Sequence, residues 1–115
     1  VLNSDNEAPD APGMLDKHYS PRTKLILTEN MEEEIRRNGG KKIGLLSFNF
    51  FDSQELVQAH KILSVTSNLD EAAHNLYEYL QELDQLDLEV IIAEMMPKKA
   101  LGNSINDRLK RASHS

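Results

Sequence analysis

Four stretches of the chain are nearly continuous in apolar residues, and the stretches between them repeat apolar residues at helical spacing. Lys24–Thr28, Lys42–Phe48, Lys61–Thr66 and Leu88–Met96 read as strands. Near-continuous apolar runs such as Lys-Ile-Gly-Leu-Leu-Ser-Phe mark strands covered on both faces, as in parallel sheets. Asn30, with Glu33 three residues on, has the spacing of a helix N-terminus. Glu32, Glu33 and Glu34 then fall in the first turn and Arg36 and Arg37 in the last, matching the helix dipole, and Asn38-Gly39-Gly40 ends the helix. Asn68 and Glu71 repeat the capping spacing. After them Leu69, Ala72, Ala73, Leu76, Leu80 and Leu83 recur at helical period, with acids between. A last helix is expected within Gly102–Ala112, with Leu101, Ile105 and Leu109 on one face. Asn49–Asp52 reads as a turn with Phe50 and Phe51 tucked beneath it, and Ser53–Ala59 as one or two helical turns.

Strands alternate with helices at lengths that suit βα units. The pattern predicts an α/β fold: a small three-layer, Rossmann-like domain with a mostly parallel sheet of about four strands. Residues 1–11 are polar and acidic and read as a disordered tail. Residues 12–22 read as an extended linker, because Pro12 and Pro21 push Ala11 and Ser20 towards extended backbone. Residues 23–115 form the domain. The chain opens on Val1 rather than Met, which is expected of a fragment, a processed form or an engineered piece. With no pocket to cover, residues 1–21 are expected to be poorly ordered.

Charge and composition narrow the function. The 115 residues carry a net charge of −6 and no cysteine. Thiol catalysis, disulfides and cysteine zinc sites are excluded. The missing cysteines fit a cytoplasmic protein, and the negative balance argues against direct nucleic-acid binding. No apolar run approaches the roughly 20 residues that span a bilayer, so no membrane partner is expected. Eight acids and no Lys or Arg lie between Asn68 and Met96, whereas Lys98, Lys99, Arg108, Lys110 and Arg111 follow with only Asp107 against them. The two bands either face solvent or pair with one another.

Candidate chemistry is sparse. His18, His60, His74 and His114 show no metal-ligand spacing, and no metal site is expected. The Glu32–Glu34 triplet is explained by helix electrostatics. Asn38-Gly39-Gly40-Lys41-Lys42 follows a helix and opens a strand, the reverse of a phosphate loop. Lys98, Lys99 and Gly102 stand where the last strand gives way to the last helix, the end of a parallel sheet at which ligands bind. They form either a phosphate site or a helix entry with solvated lysines. No catalytic residue is identified, and the chain alone is not expected to be an enzyme.

The segment Pro12-Gly13-Met14-Leu15-Asp16-Lys17-His18-Tyr19-Ser20-Pro21 reads from composition as an interdomain linker. Its pattern Pro-Gly-Met-x-x-x-His-Tyr-x-Pro resembles the linker of the two-domain form of threonylcarbamoyl-AMP synthase. The second half extends the resemblance. Asn75–Asp84 is similar to that family's helix ending in Leu-Arg-x-Leu-Asp, with Gln81 in place of Arg. Ala100–Ala112 is similar to the closing Gly-Leu-Gly-x-Ala-Ile-x-Asp-Arg-Leu-x-Arg-Ala, with Ala100 for the first Gly and Ser104 for the first Ala.

The resemblance implies an accessory C-terminal domain of a nucleotidyltransferase whose catalytic domain lies outside these residues. The family joins threonine, bicarbonate and ATP into threonylcarbamoyl-AMP for tRNA modification. ATP and magnesium would belong to the full-length enzyme, and this chain would hold no cofactor. The resemblance assigns Tyr19 and His18 to the ligand, with Pro12, Gly13 and Pro21 setting the path of a lid over the catalytic pocket. The implied partners are the chain's own N-terminal catalytic domain and the later tRNA threonylcarbamoyl-transfer machinery. Two other functions stay open: an independent nucleotide- or phosphate-binding regulatory module, and a structural docking domain.

Overall fold

Ile43–Ser47 is the most deeply covered strand: all five residues are buried, as its unbroken apolar character requires. A computed structural model of the chain describes residues 21–53 and 56–113. The expectations for the tail and for Pro12, Gly13, His18 and Tyr19 lie outside these residues. The elements run β1 (Lys24–Thr28), α1 (Met31–Arg37), β2 (Ile43–Ser47), β3 (Ala59–Ile62), α2 (Leu69–Asp84), β4 (Val90–Glu94) and α3 (Ala100–Ser113).

The four strands form one parallel sheet in the order β1-β4-β2-β3. The last strand in sequence is therefore inserted between the first two, with Val90 opposite both Lys24 and Ile43. Side chains of β4 alternate between two cores, as strand geometry dictates. Val90 and Ile92 join Met31, Ile35, Ile43 and Leu45 beneath α1. Ile91 and Ala93 join Leu46, Leu76, Leu80, Leu83, Ile105 and Leu109 beneath α2 and α3. The result is the expected three-layer α/β sandwich.

Both helix starts follow the expected capping, with additions that only the fold supplies. The Asn30 side chain accepts from the Glu33 amide at 3.0 Å. The Asn68 side chain accepts from the Glu71 amide at 3.0 Å. The reciprocal half of the second cap runs through Ser64. Its hydroxyl accepts from the Asn68 amide at 2.8 Å and donates to the Glu71 carboxylate at 2.5 Å.

Three expectations are corrected. The third strand spans Ala59–Ile62 rather than residues 61–66. Gln58 causes the shift: its amide donates to the Ile43 carbonyl at 2.9 Å, and its side-chain oxygen accepts from the Ile43 amide at 2.6 Å. This zips the chain onto β2 early, and the turn at Ser64–Ser67 ends it early. The described residues of the 53–59 segment before Ala59 are not helical. Phe50 is 75% exposed rather than tucked in, whereas Phe51 packs against the α1 core.

The charged bands do not simply face each other. Lys61 pairs with Glu82 at 2.6 Å and lies 5.4 Å over the Tyr79 ring, while Arg111 pairs with Asp107 on its own helix at 2.9 Å.

Gly102 sets how closely α3 approaches the end of β4. A Cβ built there would lie 1.9 Å from the Pro97 carbonyl oxygen. On helix propensity alone Gly102→Ala would stabilise the domain by about 1 kcal/mol. The backbone clash reverses the sign, and a loss of about 2 kcal/mol or more is expected in urea unfolding. Asn103→Ala, one residue on and exposed, should change stability by about 0.5 kcal/mol or less.

Candidate functional site

Two ends of the sheet carry features that a ligand or partner could use. At the carboxyl ends of the strands, where β4 is flanked by β1 and β2, two open depressions of about 390 and 430 Å³ share Glu29, Met95 and Lys98. Lys98 thus stands where the sequence places it, on the rim of both. Lys99 is exposed but lines neither. Gly102 is buried against Pro97.

The polar groups here are largely committed to backbone. The Asn106 side chain, buried in α3, accepts from the Met96 amide at 2.7 Å and donates to the Met96 carbonyl at 3.1 Å. It thereby extends β4 by one residue's worth of sheet-like bonding. Glu94 accepts from the Phe48 amide at 2.8 Å. Lys98 and Lys110 face the depression together with Glu29 and Asp107, so positive and negative groups are mixed there.

A serine and a histidine meet on the α1 side, with Ser47 Oγ 2.8 Å from His60 Nε2. The pair is not a nucleophile and its base. The Ser47 hydroxyl donates to the Asn49 carbonyl at 2.7 Å, so its single proton is used and the imidazole must donate through Nε2. Burial lowers the His60 pKa from its ordinary value.

At the opposite end, where the strands begin, Asp84 closes α2. A carboxylate at a helix C-terminus opposes the dipole, so its presence there needs a compensating partner. Asp84 accepts from the Thr23 amide at 2.8 Å and from the Arg22 amide at 3.1 Å. Burial raises its pKa. The Thr23 side-chain bond, the two amide bonds and the Arg22 charge outweigh that and hold it below the ordinary value. Asp84 therefore clamps the chain directly after Pro21, which is half-buried. This is the Asp that ends the Leu-Arg-x-Leu-Asp-like stretch. Its misplacement relative to the dipole was a signal available in the sequence. Its partners, more than 60 residues away, were not. Among the described residues no three His, Asp or Glu side chains are grouped as a metal site would need, and no helix is long and apolar enough to cross a membrane.

Residues 1–114 match the family described as threonylcarbamoyl-AMP synthase, C-terminal domain. The chain belongs to that family. It is 30% identical to the threonylcarbamoyl-AMP synthase of Pyrococcus abyssi over 123 residues, covering 98% of this chain and 34% of that protein. It is 30% identical to the synthase of Bacillus subtilis over 118 residues, covering 97% and 34%. The chain thus spans about a third of the length of these curated relatives. The crystal structure of P. abyssi Sua5 complexed with L-threonine superposes with a TM-score of 0.70 at 31% identity, over 90% of this chain and 32% of that one. A structure of the P. abyssi protein with an adjacent histidine and tyrosine both replaced by alanine gives a TM-score of 0.63 at 28% identity, over 78% and 29%. The doubly wound sheet is therefore the fold of a synthase C-terminal domain.

Two titrations should mark the stability of this domain. The folded state resists protonation of His60, so stability is full above the ordinary value of 6.5 and falls as pH drops below it. Asp84 adds a second fall below its ordinary value of 3.8, as pH passes through the lower folded value. Urea unfolding across pH should show both. His60→Gln should flatten the first. Asp84→Ala should flatten the second and cost about 1 kcal/mol or more at neutral pH, because the Arg22 amide it holds is exposed while the Thr23 amide is part-buried and would lose its acceptor.

Proposed function

We propose that this chain is the accessory domain of a synthase that makes threonylcarbamoyl-AMP, pyrophosphate and water from threonine, bicarbonate and ATP. In this reading it holds a strap, residues 12–22, across the catalytic pocket of a preceding domain. That domain binds ATP and magnesium and performs the adenylyl transfer, and this chain performs none of the chemistry. The observation that carries the reading is the Asp84 clamp on Arg22 and Thr23, which fixes one end of the strap to the folded domain. The structure of the P. abyssi protein with a His-Tyr pair replaced adds support. The only His-Tyr pair in this chain is His18-Tyr19, two residues before Pro21.

A strap so held would do its work by exclusion. Threonylcarbamoyl-AMP is a mixed anhydride, and water in the pocket would hydrolyse it. Tyr19 and His18 would cover the ligand, while Pro12, Gly13 and Pro21 keep the strap extended. Opening of the strap would then gate product exit. Product would pass to the machinery that transfers the threonylcarbamoyl group to tRNA, in the cytoplasm.

A second reading, phosphate binding at Lys98, Lys99 and Gly102, draws on Lys98 at the rim of both strand-end depressions. The neighbouring Glu29 and Asp107 weigh against it.

Tyr19→Ala in the full-length protein separates the readings. The lid reading expects at least a roughly tenfold loss of synthase activity, about 1.4 kcal/mol of transition-state stabilisation, with an unchanged unfolding transition. Unchanged activity would remove the lid. Replacing Lys98 and Lys99 by alanine should leave magnesium–ATP affinity unaltered, and a several-fold loss would favour the second reading instead.

A further inference from the structure

We infer that Asp84 is a positioning residue of the synthase reaction: it sets the direction in which the linker leaves this domain, and so keeps water from the mixed anhydride. The inference rests on the lid reading above and deepens it, by separating a residue that retains product from the groups that make it.

Asp84 engages the chain through both oxygens. Oδ1 accepts from the Thr23 amide at 2.8 Å and Oδ2 from the Arg22 amide at 3.1 Å. One bond would fix a point, whereas two successive amides on one planar carboxylate fix a direction as well. Pro21 comes next, half-buried, with its φ held by the ring, so the direction is carried one residue farther. The sheet does not require both bonds. Its ladder along β1 begins with Lys24 opposite Val90, so both amides lie before it. The Thr23 amide is part-buried and needs an acceptor, but the Arg22 amide is exposed and water would serve it. The carboxylate is also unfavourable for α2. Asp84 is the last residue of that helix, where the dipole favours cations, and the last turn carries no basic residue. Asparagine at position 84 would give Thr23 its acceptor without that penalty. The charge and the second oxygen therefore serve the chain before β1.

Loosening that hold changes the fate of the product. Each turnover that forms threonylcarbamoyl-AMP releases one pyrophosphate. Water that reaches the anhydride adds to it and the carboxyl–phosphate bond breaks. AMP leaves, and the carbamic acid of threonine loses carbon dioxide to return threonine. Pyrophosphate counts every turnover, and free AMP counts those lost to water.

The test uses the full-length two-domain protein carrying Asp84→Asn, which keeps one oxygen for Thr23 and loses the charge and the acceptor for Arg22. Pyrophosphate, AMP and threonylcarbamoyl-AMP are measured at early times, before product decays in free solution. Pyrophosphate release is expected within about twofold of wild type, and the AMP share of turnovers is expected to rise at least about threefold. An unchanged AMP share overturns the inference. Asp87→Asn removes a charge from the same cleft, whereas the linker amides bond to Asp84, so it should keep the wild-type share. A rise equal to that of Asp84→Asn overturns the inference. Ile35→Val truncates the core beneath α1, on the other face of the sheet. If Asp84→Asn lowers the urea midpoint, an AMP share no higher than that of Ile35→Val overturns the inference. Tyr19→Ala keeps the two proposals apart. Lost synthesis in Tyr19→Ala with a wild-type AMP share in Asp84→Asn retains the lid and removes Asp84. Full synthesis in Tyr19→Ala with a raised AMP share in Asp84→Asn removes Tyr19 as the cover and retains Asp84.

Discussion

Insertion of β4 between β1 and β2 is the constraint on which the rest of the domain depends. Among the described strands, before β4 pairs, β1 has no neighbour and β2 holds only β3. Once Val90–Glu94 is in place, both neighbours are hydrogen-bonded along their length. The strand also feeds both cores, Val90 and Ile92 to α1 and Ile91 and Ala93 to α2 and α3. Losing it would expose two hydrophobic layers at once. This makes the domain cooperative and places its completion late in the chain.

A sheet assembled this way leaves backbone groups open at its ends, and side chains close them. Glu89 accepts from the Lys42 amide at 2.7 Å, Gln58 from Ile43, Glu94 from Phe48, and Asn106 joins both polar groups of Met96. Asp84 belongs to the same set, since it serves the backbone at the start of β1. In the sequence each of these residues would pass for one that simply meets water. In the fold they finish the sheet, because a buried amide without an acceptor costs more than the bond gains. Several acids of the residue 68–96 band are accounted for in this way, which leaves fewer carboxylates for chemistry than the composition implies.

The same accounting covers polar groups among the described residues that a chemical site would draw on. Ser47 and His60 are adjacent, but the hydroxyl proton is already given to a carbonyl. The strand-end depressions mix lysines with carboxylates. What stands out is the anchoring of the linker. In the lid reading proposed above, the carboxylate that holds Arg22 and Thr23 would support what precedes the first strand. The chain belongs to the synthase C-terminal family, and the relatives are about three times as long as the matching region.

Much of this was legible in the residue pattern. Continuous apolar runs announced a parallel, two-sided sheet, and capping residues located α1 and α2, because these signals act over a few neighbouring residues. The linker and the closing motifs pointed to the family. The start of β3 was not legible, because Gln58 bonds Ile43 across 15 residues and so moves the strand forward. Nor was the exposure of Phe50, which depends on the cores either side of the sheet already being filled by Phe48 and Phe51. Asp84 shows the division best. By itself the sequence determined that a carboxylate would end α2, against the dipole. Only the tertiary structure decided that this carboxylate would meet Arg22 and Thr23, because insertion of β4 brings the two ends of the chain's first and longest excursions to one edge of the sheet.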